Sequence, residues 1–140
     1  MILEQISIFT ENKPGTLVEV SKLLASAEID INVFTIADTA EFGIMRLLVD
    51  APKKALATLK LNKYVARLTP VVAIRMQDEP GSLAKVLAAL ADGGVELEYV
   101  YAFAAKKADT AYVVIRVNNP EETAAMMEAA GFTTVSRIND

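Results

Sequence analysis

The chain has 140 residues, a formal net charge of −4, 53% hydrophobic and 23% charged residues, so it is apolar enough to pack a core and too apolar for a disordered chain. The acidic balance with scattered lysines and arginines excludes a phosphate-binding surface of the nucleic-acid type. Cysteine and histidine are both absent, which removes disulfides, thiolate nucleophiles, Cys/His zinc sites and the commonest general base.

In chain order, Gln5-Ile6-Ser7-Ile8 alternates like a strand until Asn12-Lys13-Pro14-Gly15 breaks the pattern, and Leu17, Val20, Leu24 and Ala27 then recur at helical spacing. Ile29 to Ile36 and Ile44 to Val49 are rich in β-branched or aromatic residues and read as two strands joined by a polar turn. Pro52 suits a first helical turn and introduces an alanine-rich helix through Leu61, followed by a short strand, Val65 to Thr69. The cycle then repeats. Val72 and Ile74 mark a strand, Leu83, Val86, Leu87 and Leu90 a helix, Val95 to Phe103 and Tyr112 to Val117 two strands, Thr123 to Ala130 a helix behind Pro120, and Thr133 to Ile138 a closing strand.

A shift of 66 positions superimposes Ile8, Pro14, Gly15, Leu17, Val20, Leu24 and Ala25 on Ile74, Pro80, Gly81, Leu83, Val86, Leu90 and Ala91, all identities. The order βαββαβ, twice, predicts an α+β chain of two ferredoxin-like domains, residues 1–69 and 70–140, each an antiparallel sheet with its helices on one face. Units of this size have little core of their own, and Phe9, Met45, Leu47 and Val49 are apolar groups expected on a bare face or edge; a homodimer is the expected assembly. No apolar run is long enough to span a bilayer, the first residues lack a basic signal-peptide start, and the expected location is the cytoplasm, with neither membrane nor nucleic acid as partner.

The chemistry concentrates in the strand-to-helix junction Asn12-Lys13-Pro14-Gly15-Thr16-Leu17 and its copy Asp78-Glu79-Pro80-Gly81-Ser82-Leu83. Proline fixes φ near the first helical position and glycine allows close approach, so the amides of Gly15, Thr16 and Leu17 are expected to point outward, where a helix dipole favours a carboxylate. Asn12 and Asp30 in copy one, with Asp78 and Glu96 in copy two, are candidate acceptors for an ammonium group. The plain alternative is a turn with a capping side chain.

These two junctions and the repeated βαββαβ order resemble the ACT domain, a small regulatory module of amino-acid metabolism, across nearly the whole chain. Ile36-Ala37-Asp38-Thr39 with Phe42-Gly43-Ile44, and Glu98-Tyr99-Val100-Tyr101-Ala102-Phe103, are similar to stand-alone tandem-ACT proteins that lack a catalytic domain. The resemblance implies units paired through edge strands, with an amino acid held at the strand-to-helix loop where units meet. It also implies a possible partner enzyme of amino-acid metabolism. In serine-sensing members an amide in the loop and another at the start of the second strand hold the effector. Asn12 matches the first, whereas Asp30 replaces the second by a carboxylate, and Asp78 and Glu96 make both positions acidic in copy two. The effector is therefore left open, and the two sites are potentially unequal.

Other features have plainer readings. Glu96 and Glu98 share a strand face without enough companions for a metal site. Tyr99, Tyr101 and Phe103 form a packing stripe, Met126 and Met127 fill core or interface gaps, Lys106 and Lys107 decorate a hairpin tip, and Asp38-Thr39 forms a turn. No catalytic residue, metal or cofactor is expected. A regulatory amino-acid binder leads, a protein-interaction scaffold or regulatory subunit without its own ligand is the alternative, and a carboxylate-based enzyme comes third.

Overall fold

A computed structural model describes residues 1–11, 13–37 and 42–139, with the side chain of Phe42 outside the described set. The backbone divides into two compact units, one of Glu4–Thr69 and one of Pro70–Asp140 together with Met1–Leu3.

The first unit contains β1 (Leu3–Glu11), α1 (Pro14–Ser26), β2 (Ile31–Ala37), β3 (Phe42–Val49), α2 (Pro52–Leu61) and the start of β4 (Val65–Gln77). Its strand order is β2-β3-β1-β4, with β3 antiparallel to both β1 and β2. Alternation decides which face carries the helices. Ile6 and Ile8 pair with Leu47 and Met45, and these four pack with Val20 and Leu24 of α1 and Ala55 and Leu59 of α2. Met45 and Leu47, expected on a bare face, are fully buried under the helices, and Val49 packs partly against the same core. Of the four residues expected to need outside cover, Phe9 alone is off that core; the Arg67 guanidinium sits 5.1 Å from its ring centroid. Along β1 the intervening residues are polar and buried: Gln5 donates to the Ser7 hydroxyl at 3.2 Å, and Ser7 and Thr69 hydroxyls are 2.8 Å apart. This short chain of hydrogen bonds satisfies groups that would be costly to bury alone.

The second unit uses the later part of β4, α3 (Ser82–Asp92), β5 (Tyr99–Ala104), β6 (Thr110–Arg116), α4 (Pro120–Ala129) and β7 (Thr133–Val135). Here β4 lies between β6 and β7, and β5 borders β6, all antiparallel. Val72, Ile74, Val113 and Ile115 face the helix residues Val86, Leu90, Ala124 and Met127. Tyr99, Tyr101 and Phe103 fall on the opposite face, where Phe103 meets Tyr112 at 5.5 Å between ring centroids.

Three boundaries differ from the sequence reading. The last strand of copy one and the first of copy two form one strand, β4, running through Pro70, whose carbonyl accepts a bond from Arg116 at 2.7 Å. The fifth strand begins at Tyr99 rather than Val95, because Val95 and Leu97 pack against the core from the helix exit. The seventh stops at Val135 rather than Ile138.

All four helices end alike. Glu28, Lys63, Gly94 and Gly131 take left-handed φ angles of 59°, 66°, 68° and 96°. The next residue in each case donates its N–H back into the helix: Ile29 to Leu24, Tyr64 to Leu59, Val95 to Leu90 and Phe132 to Met127, each at 3.0 Å. Paired with the bonds from Glu28 to Ala25, Lys63 to Lys60, Gly94 to Ala91 and Gly131 to Glu128, this is the Schellman closure with an apolar residue just beyond it. Left-handed backbone costs a residue with a side chain roughly 1–2 kcal/mol. Glu28→Gly and Lys63→Gly are therefore expected to raise stability by about 0.5–1 kcal/mol, and Gly94→Ala and Gly131→Ala to lower it by about 1 kcal/mol, read from urea midpoints.

Tyr64 also donates its hydroxyl to Glu19 at 2.5 Å, and burial, followed by that bond and the carboxylate's charge, pushes its phenol up to about 12. A raised folded pKa contributes stability that is full below the unfolded value near 10 and lost as pH climbs from there through about 12. In an ultraviolet titration, Tyr64→Phe should remove the ionisation centred near 12 and Glu19→Gln should move it down toward 10.

Candidate functional site at the strand-to-helix junctions

The two junctions share a sequence but not a conformation. In the first, Lys13 is the N-cap with extended backbone, Pro14 occupies the first turn, and no side-chain cap is present among the described residues. Proline suits this place because its missing N–H would have had no helical partner. The Lys13 ammonium lies 2.6 Å from Glu11, which raises its pKa through that hydrogen bond and then through charge. The Thr16 amide is not open as expected, since it donates to the Lys13 carbonyl at 3.0 Å. Gly15 is exposed, and a Cβ built on it would meet nothing within 4 Å. Asn12 lies outside the described residues, as do Asp38 and Thr39.

In the second, the helix begins only at Ser82, and Pro80-Gly81 precede it. Gly81 has φ 93° and ψ −16°, and Ser82 donates to the Glu79 carbonyl at 3.3 Å. These are the marks of a type II turn with proline and glycine at its centre. Proline thus does not start α3 as it starts α1. Neither α1 nor α3 has an acidic residue in its first turn, whereas α4 has Glu121 and Glu122. Side-chain caps are missing from α2 as well, so their absence alone singles out nothing.

The strand register separates the ammonium acceptors named from the sequence. Glu11, leading into the first junction, pairs with Phe42, whereas Ile31, following Asp30, pairs with Val49 at the other end of β3. Gln77 pairs with Thr110, whereas Tyr99, near Glu96, pairs with Arg116. Each separation is on the order of 20 Å along a strand. Within one unit, then, Asp30 does not converge with the first junction, nor Glu96 with Asp78. The Asp30 N–H bonds the Asp50 carboxylate at 3.1 Å, and the Asp50 N–H bonds the Asp30 carbonyl at 3.2 Å, tying β2 to the exit of β3. Glu96 lines a cleft of about 370 Å³ with Glu122, Asn119 and Met126, while Glu98 pairs with Arg116 at 3.4 Å. Among the described residues no group of three or more acidic side chains is placed to hold a metal ion.

What lies beside the second junction is the β5–β6 hairpin. A cavity of about 1100 Å³ is walled by Gln77, Asp78 and Glu79 of the junction and by Lys106, Lys107 and Asp109 of the hairpin, with Arg75 and Tyr112 behind. The Asp78 N–H donates to the Asp109 carbonyl at 3.0 Å, locking loop to hairpin, and Asn139 donates to the Tyr112 hydroxyl at 3.0 Å. Lys106 and Lys107, read as decorating a solvated hairpin tip, are exposed as expected and also border this cavity. Only the twin lysines at a hairpin tip hinted at this, and nothing in sequence spacing says which loop a hairpin tip will meet.

Residues 1–136 match the ACT domain pair. The chain belongs to that family. No curated protein matches it in sequence. Among solved structures, protein BT0572 from Bacteroides thetaiotaomicron is 40% identical with a TM-score of 0.89, over 96% of this chain and 92% of the other. The ligand-free regulatory subunit of aspartate kinase from Thermus thermophilus shares the fold at 21% identity and a TM-score of 0.66, over 91% of each chain. Its counterpart from Thermus flavus does so at 18% and 0.57, over 94% and 95%. The ACT pair thus accounts for both repeats, and no described helix is long and apolar enough to cross a membrane.

The unlike glycines of this ACT pair give a direct test. Gly15 is helical with open space around it, so Gly15→Ala should leave stability unchanged or raise it by up to about 0.5 kcal/mol. Gly81 is left-handed, so Gly81→Ala should cost about 1–2 kcal/mol despite equal room; thermal unfolding of the two variants reads the difference.

Proposed function

We propose that this ACT pair is a non-catalytic regulatory protein that binds an amino acid at its strand-to-helix junctions. The observation that carries the reading is the state of the junction glycines: both are exposed, with clear space beside them, at helix starts that no described side chain caps. An α-carboxylate seated there would gain from the helix dipole and the nearby amides. The binding set on this reading is Asn12, Lys13, Pro14, Gly15, Thr16 and Leu17, with Asp78, Glu79, Pro80, Gly81, Ser82 and Leu83 in the second copy. Asp30 and Glu96, remote from the junction of their own unit, take part only where a neighbouring unit brings them to its own junction, in line with the side-by-side pairing of units expected from the resemblance. The chain contains no cysteine or histidine to perform chemistry on what it binds.

A second reading is favoured by one finding, the fold shared with proteins described as regulatory subunits of aspartate kinase. On it, the chain serves as an interaction scaffold or regulatory subunit for an enzyme of amino-acid metabolism, without a ligand of its own.

Calorimetry against the common amino acids decides between them. The sensor reading expects one member to bind with micromolar to millimolar affinity, about 4–8 kcal/mol, and expects Gly15→Val or Gly81→Val to weaken it. Silence across the panel at millimolar concentration rejects the sensor and leaves the subunit reading.

A further inference from the structure

The cleft of about 370 Å³ in the second unit lies between the exit of α3, residues 93–96, and the approach to and first turns of α4, residues 117–126. Part of its lining is apolar: Val117 is buried, Val95 is half-buried, and the Met126 thioether packs where a Cβ on Gly93 would stand. Thr123 is only 6% exposed, yet its hydroxyl has no hydrogen-bond partner among the described residues. No fully enclosed polar side-chain atom among those residues lacks a partner, so this hydroxyl reaches open space, and the space that Thr123 borders is the cleft. A hydroxyl so nearly enclosed takes its hydrogen bond from whatever occupies the cleft. The charge around it is of one sign. Glu96 and Glu122 line the cleft, neither forms an ion pair among the described residues, and no lysine or arginine lines it. No basic residue in the last turn of α3 offsets the partial negative charge of its terminal carbonyls. Helix α4 does not need this equipment in order to form. Pro52 and Pro120 start α2 and α4 alike, and in α2 Lys54 and Ala55 stand where α4 has Glu122 and Thr123.

We propose that this cleft seats the ammonium head of a small primary alkylamine, with the Thr123 hydroxyl, Glu96 and Glu122 as acceptors and Val95, Val117 and Met126 against the alkyl stem. An ammonium carries three N–H donors and no acceptor, which matches that set. An anion would meet two carboxylates. A bare metal ion is poorly served, since among the described residues no group of three or more acidic side chains is placed to hold one. Both carboxylates are exposed, so their charge alone holds little, and the nearly enclosed hydroxyl fixes the place. The site is separate from the strand-to-helix junctions and independent of the amino-acid reading.

Amide spectra of the ¹⁵N-labelled 140-residue protein, titrated at low ionic strength with n-butylammonium chloride to millimolar concentration, test it. The expected result is saturable shifts clustered at residues 93–96 and 117–126, which n-butanol, the stem without the charge, and potassium chloride, the charge without the stem, do not reproduce. Glu122→Lys, which installs the residue of the first unit, should weaken binding by about tenfold, and Thr123→Val by about threefold or more. Glu121→Lys, one position away and outside the cleft lining, should leave it within about twofold. Shifts that are absent, scattered or reproduced by potassium chloride overturn the proposal. So does an equal loss in Glu121→Lys and Glu122→Lys, which marks general charge attraction, or unchanged affinity in Glu122→Lys with its spectrum otherwise native. Should Thr123→Val fail to fold, the pair of exposed glutamate variants decides alone.

Discussion

Everything in this fold depends on how its helices stop. Each must reverse the chain sharply enough to return a strand to the sheet it has just covered, and each does so by the same pair of backbone bonds around one left-handed residue. The residue after the reversal, Ile29, Tyr64, Val95 or Phe132, drops onto the core and anchors the returning segment. The closure satisfies carbonyls that the helix end would otherwise leave bare, and its apolar anchor fixes the angle at which the next strand leaves. The positions of the sheet ends, and so of the junctions and hairpins that project from them, follow from it.

The starts of the helices obey no such uniform rule. Pro14 is inside α1, whereas Pro80 stands before α3 in a turn that only glycine at position 81 makes easily. The same Pro-Gly dipeptide is thereby read by the backbone in two ways, and the second reading moves the helix start later and leaves Asp78 and Glu79 beside the β5–β6 hairpin. Duplication here preserved the sheet and the helix exits, while the helix starts diverged.

Much of this was legible from residue pattern. Alternation in Gln5-Ile6-Ser7-Ile8 and helical spacing in Val20 and Leu24 give the helix-covered face, because burial in a two-layer unit imposes those periods. Met45 and Leu47 misled because an apolar strand residue does not announce its face; only its pairing with Ile8 and Ile6 does. Asp30 and Glu96 were grouped with the junctions by position in the repeat, and the antiparallel register puts them at the far end of the sheet within their own unit. The place of the hairpin lysines beside the second junction was missed for the converse reason: residues far apart in the chain were brought to one end of the sheet by pairing that sequence spacing does not display.

The helix exits also bear on ancestry. Copy two uses glycine at both left-handed positions, and copy one uses glutamate and lysine. Since closure asks only for a sign of φ and one greasy residue after it, the architecture places almost no demand on what else either half carries. A gene built this way can let one half explore new surface charges while the other retains its old ones, with the shape inherited intact by both.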